Sequence, residues 1–375
     1  MPIKLSIQES QLIRGVAILL LMVHHYSGMG YAWQGLEVFK GIGPAICCAF
    51  FFCSGYGLTA GNKKHGVRSS AMRLVKVILP FIIANAIYMI YWANFRKYNP
   101  TPWHALTDLL GLTLINKHCW FLQALIVLYV AYFASINRGL KMVLPATVIA
   151  GSLYSLASGN PASVSWIGFP LGILAAGTSR PLRRAPRNGK PVEWSLCKEA
   201  ADCSQLKRAP RNGEPVECSL CKEAANCRPL RRAVLPAGAF LLFAGTFIIY
   251  LYIGDRKIPD LPYFLNFLLM VMSSIPLWLL LPRLAMAGLP ARLAAGLTYM
   301  GRRSMDFYMM HGLCLLILSK MRTHDQLKLI PAYIGLIILT SILFKLLVQP
   351  LLSRLQAISN SGRAGAWRGN PLRRS

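Results

Sequence analysis

Acidic residues are scarce in this 375-residue chain: 13 Asp and Glu stand against 41 Lys and Arg, and charged residues of both signs make up only 14%, where soluble domains carry roughly 25%. That shortage excludes an ordinary soluble enzyme, which needs a charged surface to stay in water. A net charge of +28 would suit a nucleic-acid binder if the cations shared one polar face. They lie instead between apolar runs, in a chain that is 55% hydrophobic with a mean hydropathy of +0.45. Cations gathered into the loops of a hydrophobic chain mark membrane topology, so the bilayer is an expected partner and nucleic acid is not. A small-residue cleavage site is also missing after the first apolar run, which contains Arg14 and two histidines. That run reads as a retained span and not as a signal peptide.

What is present is a series of apolar segments near the roughly 20 residues that a bilayer requires. Ten can be placed, at about 12–30, 41–60, 74–94, 119–136, 142–157, 163–177, 234–253, 262–281, 304–320 and 330–351. The expected fold is therefore an all-α membrane protein, a bundle of about ten transmembrane helices. Helices 1–6 fall in residues 1–177, helices 7–10 in 234–353, and a basic tail in 354–375. With the N-terminus inside, the inner loops collect Lys63, Lys64, Arg68, Arg73, Lys76, Arg302, Arg303 and the Arg-rich tail. The bias puts both termini in the cytoplasm and predicts a multi-pass protein of the inner (plasma) membrane.

Residues 178–233 break the pattern, with 13 basic residues, 6 acidic residues and 5 of the 10 cysteines. Arg184–Cys203 and Arg208–Cys227 are tandem copies at a period of 24, identical at 17 of 20 positions. Each copy has two prolines and few apolar residues, so disorder in a cytoplasmic loop is expected rather than a stacked solenoid. Cys218 and Cys221, with Cys197, Cys203 and Cys227 nearby, have spacing that thiolate zinc sites use. The first copy has Trp194 where the second has Cys218, and no His falls in the segment, so no metal is assigned.

Ionisable side chains inside spans are costly and mark function by default. Arg14 and His25 are eleven residues apart, which at ~100° per residue returns to nearly one helix face, whereas His24 points ~80° away. The helix rise places His25 roughly 16 Å above Arg14, deep in the membrane. His311 lies in the ninth span with Ser304 two turns earlier and Tyr308 three residues earlier. Two imidazoles, a Ser and a Tyr in low dielectric suit general acid–base chemistry near neutral pH. Arg68, Arg73 and Lys76, at the mouth of the third span, are able to pair with phosphates. The same cations also fix topology and attract anionic lipid, so both readings stay open. Ser54 and Gly55 permit close helix approach.

Four stretches together resemble one family. LIRGVAILLLMVHHY (Leu12–Tyr26), FFFCSGYGL (Phe50–Leu58), HCWFLQALIVLY (His118–Tyr129) and SMDFYMMH (Ser304–His311) are similar, in order and spacing, to the acyltransferase-3 family of integral membrane acyltransferases. The Arg14 and His25 pair matches the family's Arg, ten residues, His hallmark. Leu125 stands where the branch with large polysaccharide substrates often has Glu, so the chain looks more like the Trp-Phe-Leu branch without a periplasmic hydrolase domain. The family's paired arginines after the second span are met by Arg73 and Lys76, a change that loses bidentate phosphate geometry.

The resemblance implies an O-acetyltransferase taking an acyl group, acetyl above all, from cytoplasmic acyl-CoA to a hydroxyl of an extracytoplasmic glycan or glycolipid. It implies no metal cofactor. His25 would act as general base or as transient acyl carrier, with Arg14 orienting the donor and His311, Ser304 and Tyr308 completing the polar centre. His118 and Trp120, at the outer end of the fourth span, fall on the acceptor side. The competing reading is a proton-coupled secondary transporter with an intramembrane His pair. It would call for internal repeats among the spans, which the sequence does not show. A third makes the basic insert a cytoplasmic partner- or nucleic-acid-binding module.

Overall fold

The computed structural model describes residues 5–28, 39, 41–96, 98–113, 115, 119–137, 142–157, 161–178, 261–319 and 329–368. All of them belong to one unit made of residues 1–179 and 239–375. The expected seventh span at 234–253, the repeat segment with its cysteines, and His118 lie outside the described residues. Among the described residues the regular structure is all helical: α1 (Ile7–Ser27), α2 (Gly43–His65), α3 (Val67–Arg96), α4 (Pro102–Leu109), α5 (Trp120–Asn137), α6 (Val143–Ala157), a 3-10 helix (Pro161–Ile167), α7 (Gly168–Thr178), α8 (Leu261–Gly288), α9 (Ala291–Arg302), α10 (Ser304–Leu318) and α11 (Leu329–Arg368).

Three helices are long and apolar enough to cross a membrane, at Gly43–His65, Ala71–Phe95 and Leu329–Ile358, and five shorter apolar helices accompany them. In α2 72% of the apolar window is buried, and in α11 only 22%. Among the described residues the former is therefore central to the bundle and the latter lies at its margin. Leu339, Leu343, Leu346 and Leu347 of α11 are exposed, as expected of a helix whose solvent is hydrocarbon. The helix also runs on through Arg368, past residue 354, where the sequence suggests that a tail begins.

The centre is assembled by missing side chains. A Cβ on Gly55 would stand 2.2 Å from the Phe169 carbonyl oxygen, and one on Gly172 would stand 2.2 Å from that of Phe52, so α2 and α7 touch backbone to backbone. Gly15 and Gly301 do the same for α1 and α9, with hypothetical Cβ distances of 1.9 Å to the Leu297 oxygen and 1.6 Å to the Gln11 oxygen. Membrane helices gain nothing by hiding apolar surface from lipid, so close van der Waals approach through small residues is what holds them.

The start of α1 is fixed by a capping box in which Glu9 N–H donates to Ser6 Oγ (3.1 Å) and Ser6 N–H to Glu9 Oε2 (2.7 Å). Tyr56 then ties it to α2 by accepting from Leu5 N–H at 2.9 Å. At the other end, α4 is pinned on α3 and α5 by Asn85 Nδ2 donating to the Leu109 carbonyl (3.2 Å) and Gln123 donating to that of Gly111. Asp108 accepts from Tyr98 and Thr113. Burial, together with this carboxylate, pushes the Tyr98 hydroxyl up to about 12, so it remains a donor at every physiological pH.

Candidate active site

His25 and His311 come together from α1 and α10. Their rings stack with centroids 4.9 Å apart and an interplanar angle of 23°. The local turn of α10 explains the placement: Tyr308 sits one turn before His311, its ring 5.3 Å away, and the Tyr308 carbonyl lies 2.5 Å from His311 Nδ1. That contact orients the imidazole and directs Nε2 away from its own helix turn. His311 is completely buried. Tyr308 is in turn held by α5, because the Phe121 backbone hydrogen-bonds its hydroxyl and the Phe121 ring lies 5.3 Å from its own. Trp120 precedes Phe121 and packs half-buried at this edge. From α3, Tyr88 donates to the Met309 carbonyl at 3.2 Å and fixes α10 from the far side.

His24 leaves α1 in another direction, as the helical phase predicts. Its Nδ1 is 2.8 Å from the Phe39 carbonyl, and its ring occupies the space a side chain on Gly43 would take. Yet its centroid is 4.9 Å from that of His25. Three imidazoles therefore form a contiguous row.

Arg14 belongs to a second polar centre, roughly 16 Å down the helix from His25. Its Nε donates to the Ser10 carbonyl at 3.2 Å, and its charge reaches Cys53, whose thiol is hydrogen-bonded with the Ser10 side chain. Arg73 of α3 arrives at the same centre through a notch in α2. Gly57 and Gly61 are one turn apart, the Gly57 carbonyl accepts from Arg73 Nη1, and a Cβ on Gly61 would stand 2.5 Å from Nη2. Both guanidinium groups act on the Tyr129 hydroxyl, which is hydrogen-bonded to Ser54. Two cations beside Ser10, Ser54, Cys53 and Tyr129 are a set of groups whose chemistry suits an anion.

The remaining candidates stand apart from the stacked histidines or outside the described side chains. Ser304 opens α10 and is buried, but it lies seven residues, roughly 10 Å, along the axis from His311. Lys76 is exposed on α3, and the Arg68 side chain is outside the described set. Tyr129 and Ser54 were within reach of sequence reasoning, since both fall in motif stretches, but nothing in either stretch signals that they join two arginines from different helices. Among the described residues no group of three His, Cys, Asp or Glu is placed to hold a metal.

A family model described as an acyltransferase domain matches residues 7–347 and so takes in both centres. No curated protein matches the chain, and no solved structure does.

Proposed function

We propose, from the premise that this chain belongs to the acyltransferase-3 family, that it moves an acyl group, taken as acetyl, from cytoplasmic acyl-CoA to a hydroxyl of an extracytoplasmic glycan or glycolipid. The observation that carries the reading is the stacked His25–His311 pair, with the Arg14–Arg73 centre below it. The arginines suit the donor's phosphates, and the extended pantetheine arm suits the roughly 16 Å that separates the two centres. An imidazole of the pair takes the proton of the acceptor hydroxyl as its oxygen attacks the thioester carbonyl. The C–S bond breaks, the new ester C–O bond remains, and the proton passes to the departing CoA thiolate. If His25 carries the acyl group between two half-reactions, the same atoms balance with an acyl-imidazole between them.

Mass spectrometry of envelope glycans and glycolipids with and without the protein tests this reading. The expected result is loss of one acetyl mass per modified site, in cells lacking the protein and in cells carrying only His25→Ala. An unchanged set of acylated species overturns it.

A further inference from the structure

A cleft of about 280 Å³ lies between α1, α2 and α8, walled by Val16 and Leu20, by Ala45 and Ile46, and by Leu277 and Trp278. Its lining is hydrocarbon almost throughout. The two polar side chains on its wall are already committed to backbone: Trp278 Nε1 donates to the Ala45 carbonyl at 3.1 Å, and Ser274 Oγ to that of Val271 at 2.7 Å. A sugar or a phosphate finds no polar group offered by these walls, so the cleft suits a chain of methylenes.

The cleft also has a direction. Val16, Leu20 and His24 follow one another at four-residue steps, a stripe that winds ~40° around α1 per step. Phe39 both lines the cleft and supplies the carbonyl that meets His24. The stripe therefore ends at the imidazole row, where His24 touches His25 and His25 stacks on His311.

We propose that the cleft takes the hydrocarbon chain of a lipid-borne acceptor and so holds the acceptor's polar head at the His25–His311 pair. This rests on the acyltransferase reading and narrows its acceptor to molecules with a lipid chain. At about the volume of a liquid water, ~30 Å³ per methylene, the space accommodates roughly nine methylenes. Because bilayer chains are as apolar as the cleft, transfer between them contributes little affinity. What the cleft supplies is position, converting an encounter within the membrane into an aligned approach at the histidines.

The test uses the full-length protein in phosphatidylcholine nanodiscs and a decyl glucoside with a diazirine at the end of its chain. Photolysis is expected to label peptides containing Val16–Leu20 or Ser274–Leu281, with competition by unmodified decyl glucoside and not by ethyl glucoside. Ala45→Trp, which fills the cleft, is expected to reduce labelling about tenfold. Leu277→Phe narrows it from the half-buried α8 wall, leaves the packed α1–α2 seam untouched, and should reduce labelling in the same direction. Labelling elsewhere, or undiminished in both variants, overturns the proposal. So does displacement by dodecanoyl-CoA but not by decyl glucoside, which assigns the cleft to the donor's chain. So does labelling by a chain-diazirine phosphatidylcholine that decyl glucoside fails to displace, which assigns it to bulk lipid. Labelling does not depend on chemistry: it should persist in His25→Ala while transfer is lost, so the failure of either reading is visible apart from the other.

Discussion

Arg73 reaches the interior because two side chains are missing from its path, and this makes Gly61 a sensitive reporter of the proposed donor site. A methyl at Gly61 would lie 2.5 Å from Nη2 and 2.8 Å from Cζ of Arg73. What it meets is the far end of a flexible side chain, so the arginine moves and the helices do not. In a helix interior Ala is favoured over Gly by up to about 1 kcal/mol, so Gly61→Ala should fold at least as well as the parent. We expect it to raise the KM for acetyl-CoA about tenfold, roughly 1.4 kcal/mol of binding, with kcat changed much less. Steady-state kinetics on purified protein decide this, and an unchanged KM removes Arg73 from the donor site. Among the histidines, His25→Ala should cost at least about 100-fold in transfer, the lower range for a lost acid–base group. His24→Ala should cost about tenfold, or 1.4 kcal/mol, because its ring supports that of His25 and anchors Phe39. Equal losses in the two variants would mean that the pair acts structurally. His25 is legible in the sequence through its phase with Arg14. Tyr129 is not, because the two charges whose fields reach its hydroxyl sit on α1 and α3, and only packing brings them near it.

Between elements, the governing fact is how near the helix backbones come. At Gly301 a Cβ would stand 1.6 Å from the Gln11 oxygen and 2.9 Å from the Gly15 nitrogen. These are backbone atoms that cannot swing aside, so α1 and α9 must part. Gly301→Ala is expected to destabilise by about 1–3 kcal/mol, the range for overpacking, and to lower the temperature at which the detergent-solubilised protein aggregates. Gly335→Ala in α11, where nothing lies within 4 Å, is the matched control and should be neutral or slightly stabilising. Identical melting of the two variants would contradict the close α1–α9 contact. Helix boundaries are readable where a long apolar run ends, as α5 and α6 show. The eight-residue α4 and twelve-residue α9 are not, because a window sized for a bilayer averages such short amphipathic helices away. The expected span at 163–177 resolves into a 3-10 helix and then α7. Pro170 explains the break: it has no N–H to bond back to the preceding turn, so it falls in the first turn of a new helix.

For the molecule as a whole, topology and the repeat segment yield a joint prediction. The cation distribution predicts that the N-terminus, residue 205 and the C-terminus share one side, so reporter fusions after residues 205 and 375 should both read as cytoplasmic. A periplasmic signal from the first would change the span count. Both polar centres are built from residues of α1, α2, α3, α5 and α10. The end of α7 is tied to α2: Lys63 Nζ donates to the carbonyls of Ala176 (2.8 Å) and Gly177 (3.0 Å), neutralising the partial negative charge of that helix terminus. A connecting segment whose near end is held in this way tolerates a change of length, since closure entropy grows only with the logarithm of the residues spanned. Deleting residues 180–233 is therefore expected to leave acyl transfer within about threefold of the parent, roughly 0.65 kcal/mol, measured as acetyl incorporation per mole of membrane-inserted protein. Loss of transfer with insertion intact would place an essential function in the repeats. Loss of insertion in the deletion, reproduced by Lys63→Ala in the full-length chain, would instead locate the defect at the α7 terminus.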